Sequence, residues 1–280
     1  MSNQTSFSKS KYQVGLIGVG VMGEALISGL ISARFPKAQI VFTEKREERA
    51  REISSKYGAR AVDLTELASS SDVVLLVVKP QDLAELLAAL ADKLKKSAVL
   101  VSFAAGKTTE FISEKVGPDI SVIRVMPNTP TLIGLGMAAI SLGKSVKAEQ
   151  AEFVSDFLMT CGKVISVEEG LQDAVTALSG SGPAYFFYFI EAMAKAGVEL
   201  GLTDEIATKL AIETISGSAA MLKESNLDAA TLRKNVTSPK GTTAAALEVM
   251  KQEGWNEILE KAIDAANQRG KAMGDELGKS

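Results

Sequence analysis

Between Tyr12 and about Val167 the chain alternates short β-branched runs with amphipathic stretches, and from about Glu168 onward strand signals stop. The strand candidates are 12–18, 39–43, 72–78, 98–104 and 120–125, with 136–143 and 163–167 completing the sheet. Helices are predicted between them at 21–33, 46–58, 82–94 and 148–161. Near-continuously apolar strands separated by helices require a mainly parallel sheet covered on both faces. The second part reads as helices at 171–179, 183–200, 204–223, 228–235, 243–253 and 255–273. Pro183 suits a first helical turn, Gly201 a C′ position, and Thr203 and Thr242 suit N-caps. Two domains follow, 1–167 and 168–280, with residues 1–11 expected to be a disordered tail.

The first predicted strand runs into Gly18-Val19-Gly20-Val21-Met22-Gly23, which opens the first helix. A G-x-G-x-x-G in that setting is a phosphate cradle. Gly18 permits the tight turn, Gly20 lets a pyrophosphate approach the backbone, and Gly23 lets helix and strand pack closely. The helix N-terminus then offers free N–H groups to the phosphates; a ligand-free glycine turn is the alternative. Glu44, at the end of the second strand, can accept from the ribose hydroxyls of NAD. Lys45, Arg46 and Arg49 follow at once and suit the 2′-phosphate of NADP. They tip the expectation toward NADP(H), with NAD(H) as the alternative. Three further strand ends, at Val78-Lys79-Pro80, Ala104-Ala105-Gly106 and Asn128, are expected to line a shared nicotinamide pocket.

Composition narrows the chemistry. Histidine is absent, which removes Ser-His-Asp triads, His-assisted hydride transfer and His-containing zinc sites, and no metal site is expected. A net charge of -3 points to neither nucleic acid nor an acidic membrane. No apolar run approaches a membrane span, and the one cysteine, Cys161, fits a reducing cytoplasm.

The helical part holds "LSGSGPAYFFYFIEAMAKAG" (178–197) and "LRKNVTSPKGTTAAALEVM" (232–250). In "VTSPKGTT" Pro239 and Gly241 shape a turn that presents backbone N–H groups at a helix start, a ready-made carboxylate site. With "IGVGVMGEAL", "VKP", "AAGKT", "MPNTP" and "ALSGSGPAY", in that order over nearly the whole chain, the sequence resembles the pyrroline-5-carboxylate reductase family. The resemblance implies an N-terminal Rossmann-type doubly wound sheet followed by an all-helical dimerisation domain. It implies NAD(P)H-dependent reduction of the small cyclic imine 1-pyrroline-5-carboxylate to L-proline, in dimers or larger assemblies of dimers. Thr243 would hydrogen-bond the ring nitrogen, and Val236, Ser238, Gly241 and Thr242 would shape the substrate loop. Asn235 and Glu169 match positions that contact substrate or product. One residue departs from the pattern: Lys240 stands where glycine is common.

A β-hydroxyacid dehydrogenase pairs similar domains, but its catalytic Lys and Asn positions after Gly182 are Phe186 and Ile190. A non-catalytic dinucleotide sensor would be expected to have lost the second motif, which is intact apart from Lys240. The six-membered piperideine-carboxylate stays open as substrate, because one methylene is worth only ~1–3 kcal/mol of discrimination.

Overall fold

The computed structural model describes Phe7 and residues 10–278, with side chains through Gly274. It forms two compact units, residues 1–181 with 266–280, and residues 182–265. The first unit runs past 167/168 to Ser181, because the segment there, with the short helix α7 (Gln172–Val175), packs onto the sheet. Gln172 is fully buried there, its Nε2 donating to Ser141 Oγ at 2.8 Å.

The first unit is built on β1 (Val14–Ile17), β2 (Ile40–Thr43), β3 (Arg60–Ala61), β4 (Val73–Leu76), β5 (Val99–Ser102), β6 (Ser121–Met126), β7 (Gly136–Leu142) and β8 (Gly162–Ser166). Their order in the sheet is β3-β2-β1-β4-β5-β6-β7-β8. Neighbours run parallel except β6 and β7, which are antiparallel. The chain therefore winds outward in both directions from β1 and leaves a switch point between β1 and β4, where doubly wound sheets bind ligands.

Period-2 alternation sorts the strand side chains into two cores. Val14 and Leu16 of β1, Val73 and Leu75 of β4 and Val99 and Val101 of β5 face α1 (Val21–Ser32) and α6 (Ala148–Met159). Ile17, Val74, Leu76 and Leu100 face the other side, against α3 (Leu64–Ser70), α4 (Leu83–Leu90) and α5 (Thr109–Val116). The sequence reading missed α3, α5 and β3. Both helices begin on a legible cap: Asp63 accepts from Glu66 N–H and Thr108 from Phe111 N–H. The two exposed residues of β3 carry no apolar signal and are held by pairing with β2.

The tail expectation needs correction at Phe7, and its residues 1–6 and 8–9 lie outside the described residues. Phe7 is buried, edge-on to Phe153 with ring centroids 5.6 Å apart, and its N–H donates to Ala33 O. An aromatic side chain buries enough area to anchor a segment that is otherwise polar.

The second unit holds α8 (Gly182–Glu199), α9 (Asp204–Glu224), α10 (Ala229–Asn235), α11 (Thr242–Gln252) and the first part of α12 (Trp255–Gly278). Ala194, Ala207 and Ala211 are its buried apolar side chains among the described residues. Phe186 and Phe187 are each 60% exposed and Tyr188 75%. Leu210, Ile212, Met221 and Leu222 are also exposed, so this unit does not bury its own apolar surface. Among the described residues, no helix is long and apolar enough to cross a membrane.

Glu24 ties α1 to α2 (Glu47–Tyr57). Lys56 Nζ and the Tyr57 hydroxyl donate to it at 2.8 and 2.9 Å, and Arg49 pairs with its other oxygen. Hydrogen bonds from Lys56, then Arg49, lower its pKa from 4.5 to about 2. A depressed carboxyl pKa stabilises the fold fully above the unfolded value and loses that contribution as pH falls through the folded one. The wild type should therefore lose stability between pH 4.5 and about 2, and Glu24→Gln should lose less across that window. Denaturation midpoints against pH would check this; parallel acid limbs would remove Glu24 from the linkage.

Candidate active site

Gly18 takes φ +91°, and a Cβ there would stand 2.6 Å from Val77 O. A Cβ on Gly23 would run into Gly18 O, so helix and strand meet backbone to backbone. A Cβ on Gly20, by contrast, would meet nothing within 4 Å. That glycine opens onto free space, as a pyrophosphate needs. Gly20 is also the N-cap of α1 and no side chain caps it, so the first-turn N–H groups of Val21, Met22 and Gly23 remain for an anion. The cradle fits a dinucleotide.

Glu44 lies at the end of β2, its side chain 9% exposed, and one oxygen accepts from Val19 N–H at 3.3 Å. Arg46 donates to it through both backbone and Nε, at 3.1 and 3.0 Å. Burial raises the Glu44 pKa, but the bonds from Arg46 and Val19 outweigh it and hold the carboxyl below its usual range. Arg49 is occupied elsewhere. Its Nε donates to Val19 O at 3.0 Å, its NH1 pairs with Glu52, and its NH2 pairs with Glu24. Glu44 and Arg49 thus hold the two ends of the Val19 residue. Of the sequence-predicted phosphate cations, Lys45 and Arg46 are exposed while Arg49 braces the cradle.

The other strand ends lie as expected at the carboxyl edge of β4, β5 and β6. Val78 and Lys79 follow β4, and Pro80 opens a short 3-10 turn. Ala104 is buried, Ala105 and Gly106 are half-buried, and Gly106 takes φ +72°. A Cβ on Gly106 would be 3.2 Å from the backbone of Gly274 in α12, so no side chain fits between them without a shift. Lys107 is buried with its ammonium 4.0 Å from the Phe111 ring centroid, and burial lowers its pKa. Asn128 accepts from Met137 N–H at 2.9 Å and donates to Ser179 Oγ at 3.4 Å.

Glu169 is not free to meet a ligand with both oxygens. One accepts the Thr109 backbone N–H at 2.7 Å and the other the Thr109 hydroxyl at 2.6 Å. Arg124, 4% exposed in the middle of β6, reaches Glu169 at 3.7 Å and Asp173 at 3.5 Å. The sequence reading missed Thr109, Arg124 and Asp173. A lone arginine inside the apolar run "ISVIRV" was the available signal, since a buried guanidinium demands carboxylates.

In the second unit Asn235 ends α10 and Val236 is its C-cap, both exposed. Gly241 N–H donates to Ser238 O at 3.0 Å, closing a turn over Pro239 and Lys240. Lys240 sits at φ +60°, where glycine is normally required. A Cβ on Gly241 would stand 2.5 Å from Ser238 Oγ. Gly241, not Thr242, is the N-cap of α11: its backbone is extended at φ -80°, ψ 174°, and its carbonyl accepts the first helical bond, from Ala245 N–H at 3.1 Å. No side chain caps this start, so the N–H groups of Thr242, Thr243 and Ala244 stay available. Thr242 is exposed and Thr243 half-buried.

Residues 169–273 match the family model described as pyrroline-5-carboxylate reductase dimerisation. Residues 13–106 match that described as NADP oxidoreductase coenzyme F420-dependent. A pyrroline-5-carboxylate reductase of Corynebacterium melassecola is 41% identical over 265 residues, covering 93% of this chain and 98% of its own. The solved structure of a pyrroline-5-carboxylate reductase from Coxiella burnetii is 32% identical with a TM-score of 0.89, covering 97% of this chain and 100% of its own. That of Plasmodium falciparum pyrroline carboxylate reductase with NADP bound is 31% identical with a TM-score of 0.84, over 94% and 98% of the two chains.

If Glu44 faces the ribose, its carboxylate opposes a 2′-phosphate and Arg46 offsets that charge. Glu44→Ser should then lower KM for NADPH and raise it for NADH. A hydrogen bond involving an ionised group is worth roughly 1.5–3 kcal/mol, so the ratio of the two constants should move about tenfold or more. Steady-state kinetics with both cofactors would check this; an unmoved ratio would place the ribose pocket elsewhere.

Proposed function

The chain belongs to the pyrroline-5-carboxylate reductase family, and on that premise we propose that it reduces 1-pyrroline-5-carboxylate to L-proline at the expense of NADPH. When bound, the reduced nicotinamide supplies the hydride. Water can protonate the imine before binding, so the chain needs no histidine for the acid step; it needs a held carboxylate and an acceptor or donor at the ring nitrogen. The observation that carries the reading is the uncapped start of α11 behind the 238–241 turn, with Thr243 half-buried beside unclaimed N–H groups. We assign the substrate carboxylate to those N–H groups and the ring nitrogen to the Thr243 hydroxyl. Asn235, Val236, Ser238, Gly241 and Thr242 shape the loop. Gly18 to Gly23 and Glu44 hold the dinucleotide, and Val78 to Pro80, Ala104 to Gly106 and Asn128 border its nicotinamide.

The chain carries the family's dimerisation segment and self-associates. We propose an obligate dimer, open to larger assemblies of dimers, with residues 168–280 as the working dimerisation and substrate domain. The exposed Phe186, Phe187, Tyr188 and Leu210 support this, since helices apolar on most faces must be covered on most faces. A cytoplasmic location agrees with the single reduced cysteine.

Assays of the purified protein on the five- and six-membered imines with NADPH test the assignment; the five-membered ring should give the higher kcat/KM. Thr243→Val keeps the shape and deletes the hydroxyl, and should lower kcat/KM about ten- to a hundredfold or more, as for loss of a charge-assisted bond. NADPH affinity should stay within a small factor. Wild-type activity of Thr243→Val with cofactor saturating would remove that hydroxyl from the mechanism. In analytical ultracentrifugation the active species should sediment as a dimer or larger at micromolar concentration; a stable, active monomer would overturn the obligate interface.

A further inference from the structure

Residues 169–180 do more than connect β8 to the helical unit. They touch the sheet through a row of polar groups set into an otherwise apolar layer. Arg124 on β6 and Ser141 on β7 are register neighbours, both of them buried. Gln172 donates to Ser141 Oγ at 2.8 Å and to Ala139 O at 3.4 Å, and Asp173 meets Arg124 at 3.5 Å. Two ends of the segment reach further. At residue 169, the carboxylate holds the first turn of α5, directly after the 104–107 loop, through Thr109. At residue 179, the hydroxyl accepts from Asn128, in the loop after β6. Thr176–Gly180, which carries Ser179, is a π-helical turn, a geometry common at functional sites.

We propose that this segment is a bracket that fixes the β5 and β6 loops relative to one another, and that Glu169 and Arg124 are positioning residues for hydride transfer rather than substrate contacts. The inference rests on the reductase reading, which puts those two loops beside the nicotinamide. The Thr109 contact suits a carboxylate: two oxygens accept one N–H and one O–H at 2.7 and 2.6 Å, whereas an amide has one acceptor oxygen and keeps both contacts only by reversing the hydroxyl. Removing the charge also leaves the Arg124 guanidinium with Asp173 alone; its Nε has no acceptor among the described residues. A loop displaced by a fraction of an ångström leaves binding groups in reach but misaligns the reacting atoms, so the effect belongs in kcat.

The test compares Glu169→Gln, Thr109→Val, Thr109→Ser and wild type as the full-length reductase, with Glu110→Gln as a surface-charge control on the same helix. Glu110 is 72% exposed at its side chain. Glu169→Gln should lower kcat ~10- to 100-fold while KM for the imine stays within about threefold, taken as ordinary scatter between variants of one site. The primary isotope effect with 4-deuterated NADPH should rise as hydride transfer becomes limiting. Thr109→Val should share the kcat loss in smaller measure and Thr109→Ser should restore it. A large rise in imine KM with kcat retained would make Glu169 a substrate contact and overturn the proposal. Wild-type kcat in Thr109→Val would do so too, and decides the matter if Glu169→Gln does not fold. A wild-type protein inactive on the imine would instead sink the reductase reading itself.

Discussion

A helix start leaves backbone N–H groups without intrahelical partners, and most helices satisfy them with a side chain. This chain caps α3, α5, α9 and α10 with Asp63, Thr108, Thr203 and Asp228, and leaves α2, α4 and the two glycine-capped starts, at Gly20 and Gly241, without a side-chain cap. Unclaimed donors on rigid helices are what anions require, and the reaction brings two: a pyrophosphate and a carboxylate. At Gly20 a Cβ would meet open space, and the side chains around that start serve the backbone. Glu44 and Arg49 grip Val19, and at the second start the Ser238 carbonyl accepts from Gly241 N–H and closes the turn.

The two units solve the burial problem differently. The first sorts its apolar residues by alternation into two closed layers, then admits a single buried arginine and supplies it with carboxylates from a segment 45 and 49 residues away. Such an arrangement adds little net stability over an apolar substitute but is costly to break, so it specifies one arrangement. The second unit leaves its apolar helices open within a segment that matches the family's dimerisation model.

Local grammar made much of this legible. Strand length, the glycine spacing and the helix ends at Pro183, Gly201 and Thr203 could be read because each depends on residues within one turn of the chain. β3 escaped because pairing alone defines it, and α5 because eight residues carry too short a period beside an apolar strand. Thr242 looked like a cap by residue type, but the turn geometry gives that place to Gly241. The partnership of Glu169 with Thr109 spans 60 residues of sequence, and no spacing rule reaches that far. Arg49 read as a phosphate ligand for the same reason: its partner on α1 lies 25 residues upstream.

Lys240 bears on the conformational entropy of the 238–241 turn. A left-handed non-glycine residue costs roughly 1–2 kcal/mol, so neighbouring contacts must fix its conformation. Pro239 restricts the dihedral before it, and the Ser238–Gly241 bond closes the turn. Pro and Lys leave fewer unfolded conformers than Pro-Gly would, which offsets part of the strain. A turn already ordered in this way has little conformational freedom left to lose, so under the proposed assignment a ligand would meet preorganised donors.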